Sequence, residues 1–162
     1  AYWRDLGTDT TVSFKVNPPE PRIRLAVAKR PDGRFVVDCI STDGGGIPRN
    51  VIVQMGLALV KMQALTLKEF VQKTSYNPAQ ILGLTQKGHF RPGADADITV
   101  LNFENQQPVM SLVNGKVIMH RGYVCGSGAQ AITTATGASF VKDKGLSPII
   151  VDLAQSGFYQ PL

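Results

Sequence analysis

The chain has 162 residues, 43% hydrophobic and 18% charged, enough to bury a core but too few for a whole (β/α)8 barrel, which takes roughly 200 residues or more. The 17 Lys and Arg against 12 Asp and Glu leave a net charge of +5. These cations are scattered, and no basic run alternates with aromatics, which argues against a nucleic-acid surface. No stretch approaches the length of a membrane-spanning helix, and two cysteines, Cys39 and Cys125, suit a reduced, cytoplasmic setting rather than a disulfide framework.

The opening AYWRDLGTD is polar and acidic and does not read as a signal peptide. Residues 10–16 (TTVSFKV) alternate as a strand does, and Asn17-Pro18-Pro19 ends it, since prolines cannot continue a ladder. Residues 22–29 (RIRLAVAK) predict a short helix, and Pro31-Asp32-Gly33 a turn. Phe35-Val36-Val37 and then Cys39-Ile40 are apolar and rich in β-branched residues, which predicts a buried strand. The first fifty residues therefore read as a βαβ unit.

That second strand runs into Ser41-Thr42-Asp43 and then Gly44-Gly45-Gly46, with Pro48 suited to the first turn of a helix. Strand, carboxylate, glycine loop and helix is how a (β/α) barrel presents a catalytic group at the C-terminal end of a strand. An Asp beside glycine is also a common turn or cap residue. Spacing alone leaves both readings standing.

Residues 51–64 carry apolar side chains at helical spacing. Thr66 and Glu69 have the spacing of a capping box for a second helix. Thr74 or Ser75 would cap a third, through residues 77–82, with Gly83 as its stop. After Leu84 the texture changes. Residues 87–93 (KGHFRPG) are turn-rich and 98–101 predict a strand. Residues 109–113 and 116–120 predict a hairpin about Asn114-Gly115, with Tyr123-Val124 extending its second strand. Residues 126–139 are mostly Gly, Ala, Ser and Thr and read as a loop or linker. A tail follows with an apolar patch at 148–151. The expected domains are 1–84, 85–125 and 126–162.

Three segments in order, NPAQILGL, KGHFRPGADADITVLNF and VMSLVNGKVIMHRG, resemble the C-terminal part of the amidohydrolase superfamily of metal-dependent hydrolases. The resemblance covers residues 10–125. STDGGG is similar to the end of barrel strand 8, most of all in the isoaspartyl-dipeptidase and D-aminoacylase branch. Lys15-Val16-Asn17-Pro18-Pro19 resembles strand 7 of the dihydroorotase-like branch. The two signals point to different branches.

The resemblance implies an α/β fold: the C-terminal portion of a (β/α)8 TIM barrel plus part of a small β-sandwich, completed by another chain. It implies that Asp43 touches a divalent metal, zinc first, and acts as general base and acid toward the attacking water. Gly44, Gly45 and Gly46 would let substrate approach the backbone, and Arg49 would meet its carboxylate. Asp95 and Asp97 match a structural Asp pair at a turn. The family's other metal ligands come from strands this chain lacks, and neither His89 nor His120 is expected to be one. Lys15, on strand 7, is not the bridging lysine, and Cys39 reads as a core residue rather than a nucleophile.

The implied reaction is hydrolysis of an amide bond in a cyclic amide or an N-acyl or isopeptide amino acid derivative. The implied partner is the N-terminal portion of the same enzyme as a separate chain, in an oligomer, with neither nucleic acid nor membrane involved. The alternative is a non-catalytic structural or binding subunit of the same fold.

Overall fold

The computed structural model describes residues 19–41, 51–126 and 130–158. The chain divides into two units, Ala1–Val37 and Asp38–Leu162. The predicted strand at 10–16 lies outside the described residues.

In the first unit, helix α1 spans Pro19–Val27, three residues earlier than RIRLAVAK suggests. Pro19 opens it, where a missing N–H costs nothing. Past α1 the chain reverses tightly. Gly33 takes φ 82° and its N–H bonds Arg30 O at 2.9 Å. Lys29 and Phe35 then form an isolated antiparallel bridge, with the Lys29 ammonium 4.9 Å from the ring centre.

The predicted strand at 35–40 does not form beyond that bridge. Val36, expected inside, is 45% exposed. The βαβ reading therefore fails for the described residues. A parallel strand needs ladder partners along its edges, and apolar β-branched residues without that ladder do not make a strand on their own.

The second unit opens with a helical layer. Helix α2 spans Ile52–Lys61, burying Gly56 and Leu57. Helix α3, Leu67–Val71, starts at the predicted capping box. Glu69 N–H donates to Thr66 Oγ1 at 3.2 Å and Thr66 N–H to Glu69 Oε2 at 2.8 Å. The expected break before a third helix is absent. The chain passes through one π turn, Gln72–Tyr76, directly into helix α4, Asn77–Ile81. Thr74, expected as a cap, instead donates its hydroxyl to Phe70 O at 2.8 Å, the back-bonding habit of a threonine inside a helix. Gly83 ends the run at φ 67°, the left-handed stop its sequence position predicts.

Among the described residues the buried apolar side chains are Leu57, Leu65, Phe70, Ala79 and Val151. Gly56 sits so close to Phe70 that a Cβ there would meet the ring at 2.1 Å.

A four-stranded antiparallel sheet follows, in the order β1 (Ile98–Asn102), β2 (Gln107–Val113), β3 (Lys116–His120), β4 (Tyr123–Val124). The β2–β3 turn is Asn114-Gly115, with φ 49° and 73°, the pair of positive values that a two-residue hairpin needs. Arg121-Gly122 repeats it at 49° and 85°. Tyr123-Val124 therefore turns back against β3 instead of extending it.

The described parts of the segment expected to be linker and tail, residues 130–158, form regular structure. Strand β5, Gln130–Thr133, pairs in parallel with strand β6, Ser147–Ile150. A 3₁₀ turn, Ala135–Gly137, and helix α5, Ala138–Asp143, connect them. Small residues between 126 and 139 suggested a linker, but residues 130–133 pair in parallel with a partner beyond α5. Val151 N–H extends the pairing to Thr133 O at 2.8 Å, and Gly157 N–H reaches Gln80 O at 2.9 Å. The tail thus packs on α4.

Candidate active site

Asp43, Gly44, Gly45, Gly46 and Arg49 lie outside the described residues. What is described is the approach to them, residues 38–41, and the helices that hold it. Ile40 N–H donates to Lys73 O at 3.0 Å. Asn77 Nδ2 donates to Asp38 O at 2.8 Å. Both bonds come from one helical run: Lys73 lies in the π turn and Asn77 opens α4.

Lys73 is 0% exposed, an unusual place for an ammonium. Burial lowers its pKa, while the nearby charges of Asp38, Cys39 and Glu69 oppose that shift. Cys39 is half-buried and free. Burial raises its thiol pKa, Asp38 adds to the rise, and Lys73 works against it. A thiol held in its neutral form is a poor nucleophile, in keeping with a packing role. Sequence reasoning passed over Lys73 and Asn77. The available signals were the NPA motif itself and the placement of Lys73 three residues after Phe70, on the same helix face.

Asp95 and Asp97 form a clasp. Lys87 Nζ contacts Asp95 Oδ2 at 2.8 Å and Asp97 Oδ2 at 2.5 Å. Asp97 Oδ1 accepts Asn114 N–H at 2.9 Å, tying the hairpin turn to the strand before it. These roles are structural, as the turn position suggests. For Asp97, burial raises the carboxyl pKa, but Lys87 and the Asn114 N–H outweigh it and leave the group below its ordinary value. A carboxylate depressed on folding stabilises above its unfolded pKa and loses that contribution as pH falls through its folded one. Asp97→Asn is therefore expected to lose part of the parent's decline in melting temperature on acidification. Superimposable melting curves for the two proteins from neutral pH down to pH about 3 would count against the clasp.

His89 is similarly engaged. Arg91 N–H donates to its Nδ1 at 3.3 Å, so Nε2 carries the hydrogen donated to Thr85 O at 2.8 Å. His120 stands in β3, paired with Met110 and Tyr123. Among the described residues, no three His, Cys, Asp or Glu come together as metal ligands. Nor is any described helix long and apolar enough to cross a membrane.

The family model described as the amidohydrolase family matches residues 24–127, more than half of the chain. The chain belongs to the amidohydrolase family. Similar curated proteins are dihydroorotases. That of Syntrophus aciditrophicus (strain SB) is 60% identical over 48 residues, 30% of this chain and 11% of that protein. That of Pelotomaculum thermopropionicum is 35% identical over 125 residues, 64% of this chain and 28% of that protein. That of Methanothermobacter thermautotrophicus is 25% identical over 163 residues, 75% of this chain and 36% of that protein. This amidohydrolase chain thus spans about a third of such relatives at most. A chain of the formyltransferase/hydrolase complex from Methylorubrum extorquens is 17% identical at a TM-score of 0.49, covering 81% of this chain and 30% of that one.

Proposed function

We propose that this chain supplies the C-terminal part of a metal-dependent amidohydrolase acting on a cyclic amide, with dihydroorotate as the first substrate to test. One observation carries the reading: the family match runs from residue 24 to 127 and so spans STDGGG. The names of the curated relatives supply the substrate class.

In this reading Asp43 takes the proton of the attacking water. Water adds to the ring carbonyl carbon, the C–N bond breaks, the nitrogen takes the proton and a carboxylate forms. The product is the ring-opened ureido acid. A divalent metal, zinc first, supplies Lewis acidity when bound. Asp43 would hold it together with ligands from outside the described residues. Gly44, Gly45 and Gly46 leave room for the ring to approach the backbone, and Arg49 meets the substrate carboxylate.

The remaining strands come from outside the residues of this sequence. The assembly is an oligomer in the cytoplasm. Exposed apolar side chains on and just beyond the helices support a covering partner: Met55 is 56% exposed, Met62 71% and Phe140 65%.

The test is to purify the assembly that carries this chain, measure its metal content and follow ring opening of dihydroorotate. Turnover with a bound divalent metal is the expected result. A metal-containing assembly inert towards dihydroorotate would remove the substrate assignment. An assembly with neither metal nor turnover would favour the non-catalytic subunit.

A further inference from the structure

Residues 130–158 lie past the end of the family match at residue 127, and the hydrolysis proposed above makes no use of them. Here β5, α5 and β6 follow one another as a strand–helix–strand unit whose two strands are adjacent and parallel. Parallel strands leave their sheet at the same end, and ligands of such sheets bind in the crevice beyond the carboxyl ends of the strands. In this unit the chain after β5 and the chain after β6 enclose a crevice of about 410 Å³. That volume lies within the roughly 300–1,000 Å³ of small-molecule sites.

The crevice is lined mainly by apolar residues. Two of them, Ile150 and Leu153, are 53% and 51% exposed, so a flat apolar ligand has surface to cover. Three lining residues carry polar side chains: Thr134, Thr136 and Asp152. The Asp152 carboxylate is held in place. Its Oδ1 accepts Ala154 N–H at 3.0 Å and its Oδ2 accepts Gln155 Nε2 at 3.4 Å, at the start of a 3₁₀ turn, Leu153–Gln155. Each carboxylate oxygen accepts more than one hydrogen bond, so a fixed pair of acceptors remains for a ligand. At the other wall, a Cβ on Gly137 would collide with Thr133 Oγ1. Glycine there lets the chain entering α5 lie close against β5.

A glycine at the first strand-to-helix turn and an acidic residue after the second strand are features of folds that bind ribose, where the carboxylate takes the sugar hydroxyl. Topology alone makes no site. The crevice, its apolar walls and the fixed carboxylate supply what topology does not. A phosphate, by contrast, wants a glycine-rich loop leading into a helix N-terminus. The loop Thr134-Ala135-Thr136-Gly137 has a single glycine, α5 has six residues, and Asp152 would repel an anion.

We propose that this crevice binds an unphosphorylated ribonucleoside, with its planar base against Ile150 and Leu153 and its vicinal diol on the Asp152 carboxylate. The competing explanation is that Asp152 only caps its 3₁₀ turn. Asp152→Asn separates the two, because Asn keeps an oxygen for Ala154 N–H and loses the charge and the second acceptor.

The experiment titrates adenosine and uridine into the purified assembly that carries this chain and reads binding by calorimetry. It is repeated with the matching 2′-deoxynucleosides, with AMP, and with Asp152→Asn and Ala135→Trp. At least one ribonucleoside is expected to bind with a Kd below roughly 1 mM. Hydrogen bonds to a charged group are among the stronger ones, so loss of the 2′-hydroxyl is expected to weaken binding about tenfold or more. Asp152→Asn is expected to weaken it about as much and to erase the ribo–deoxy difference, at an unchanged melting temperature. Ala135→Trp, which fills the crevice and leaves Asp152 intact, is expected to abolish binding.

No binding of either ribonucleoside would overturn the proposal. Equal binding of the ribo and deoxy forms, or undiminished binding in Asp152→Asn, would return Asp152 to its capping role. Binding that survives Ala135→Trp would put the ligand elsewhere and overturn the site. AMP bound about tenfold more tightly than adenosine would overturn the choice of a neutral ligand. Should Asp152→Asn not fold, the deoxynucleosides and Ala135→Trp decide the question. None of these readouts depends on turnover of dihydroorotate.

Discussion

Replacing Asp43 with Asn is expected to abolish most of the hydrolysis while leaving the fold and the bound metal in place. Asn matches the carboxylate in size and keeps one oxygen for coordination. It cannot accept a proton at neutral pH, and a positioned general base contributes roughly 10² to 10⁴ in rate. The measurement is kcat on dihydroorotate, beside metal content and the melting temperature of the same preparation. A loss of kcat with metal and melting unchanged assigns the proton transfer to Asp43. Activity within about tenfold of the parent would return Asp43 to the turn or cap role open to any Asp beside glycine. A variant that loses metal as well would make Asp43 chiefly a ligand.

The second large effect concerns Gly56 and Phe70. Gly to Ala inside a helix ordinarily gains about 0.5–1 kcal/mol. Here the sign reverses. The Ala Cβ would lie 2.1 Å from Phe70 Cε2, and Phe70 is buried at 3% exposure, with little room to withdraw. Overpacking of this kind costs about 1–3 kcal/mol. Phe70→Ala, which leaves a cavity between α2 and α3, is expected to cost about 3–5 kcal/mol. That is a large share of the stability of an ordinary domain. The two sites share one contact, so their effects should not add. In Gly56→Ala with Phe70→Leu the smaller side chain makes room for the new Cβ. The pair should be more stable than the sum of the single changes allows. Denaturant unfolding of the parent, Gly56→Ala, Phe70→Leu and the double variant reads the coupling directly. Strict additivity would mean that α2 and α3 do not pack through this contact.

Several features of this protein are legible in residues a few positions apart. Asn114-Gly115 sets the β2–β3 turn because only a few residue types tolerate two successive positive φ values. Thr66 and Glu69 start α3 because each side chain satisfies the other's backbone N–H. Gly83 stops the helical run for the same left-handed reason. The three motifs that resemble the amidohydrolase superfamily point to the family that the match over residues 24–127 establishes. In each case a local backbone requirement admits few residues, so the residues reveal the requirement.

Other features were decided only by tertiary structure. Residues 36–40 have the composition of a buried strand, yet strand formation needs a ladder from neighbouring strands. Residues 130–133 look like part of a linker, yet they find a parallel partner on the far side of α5. The grip on residues 38–40 has the same character. It shows only where the Ile40 N–H arrives at Lys73 O. The physical reason is common to all three: a hydrogen bond to a distant part of the chain leaves no spacing rule behind. It depends on which donor or acceptor folding brings within about 3 Å, and that is decided by packing.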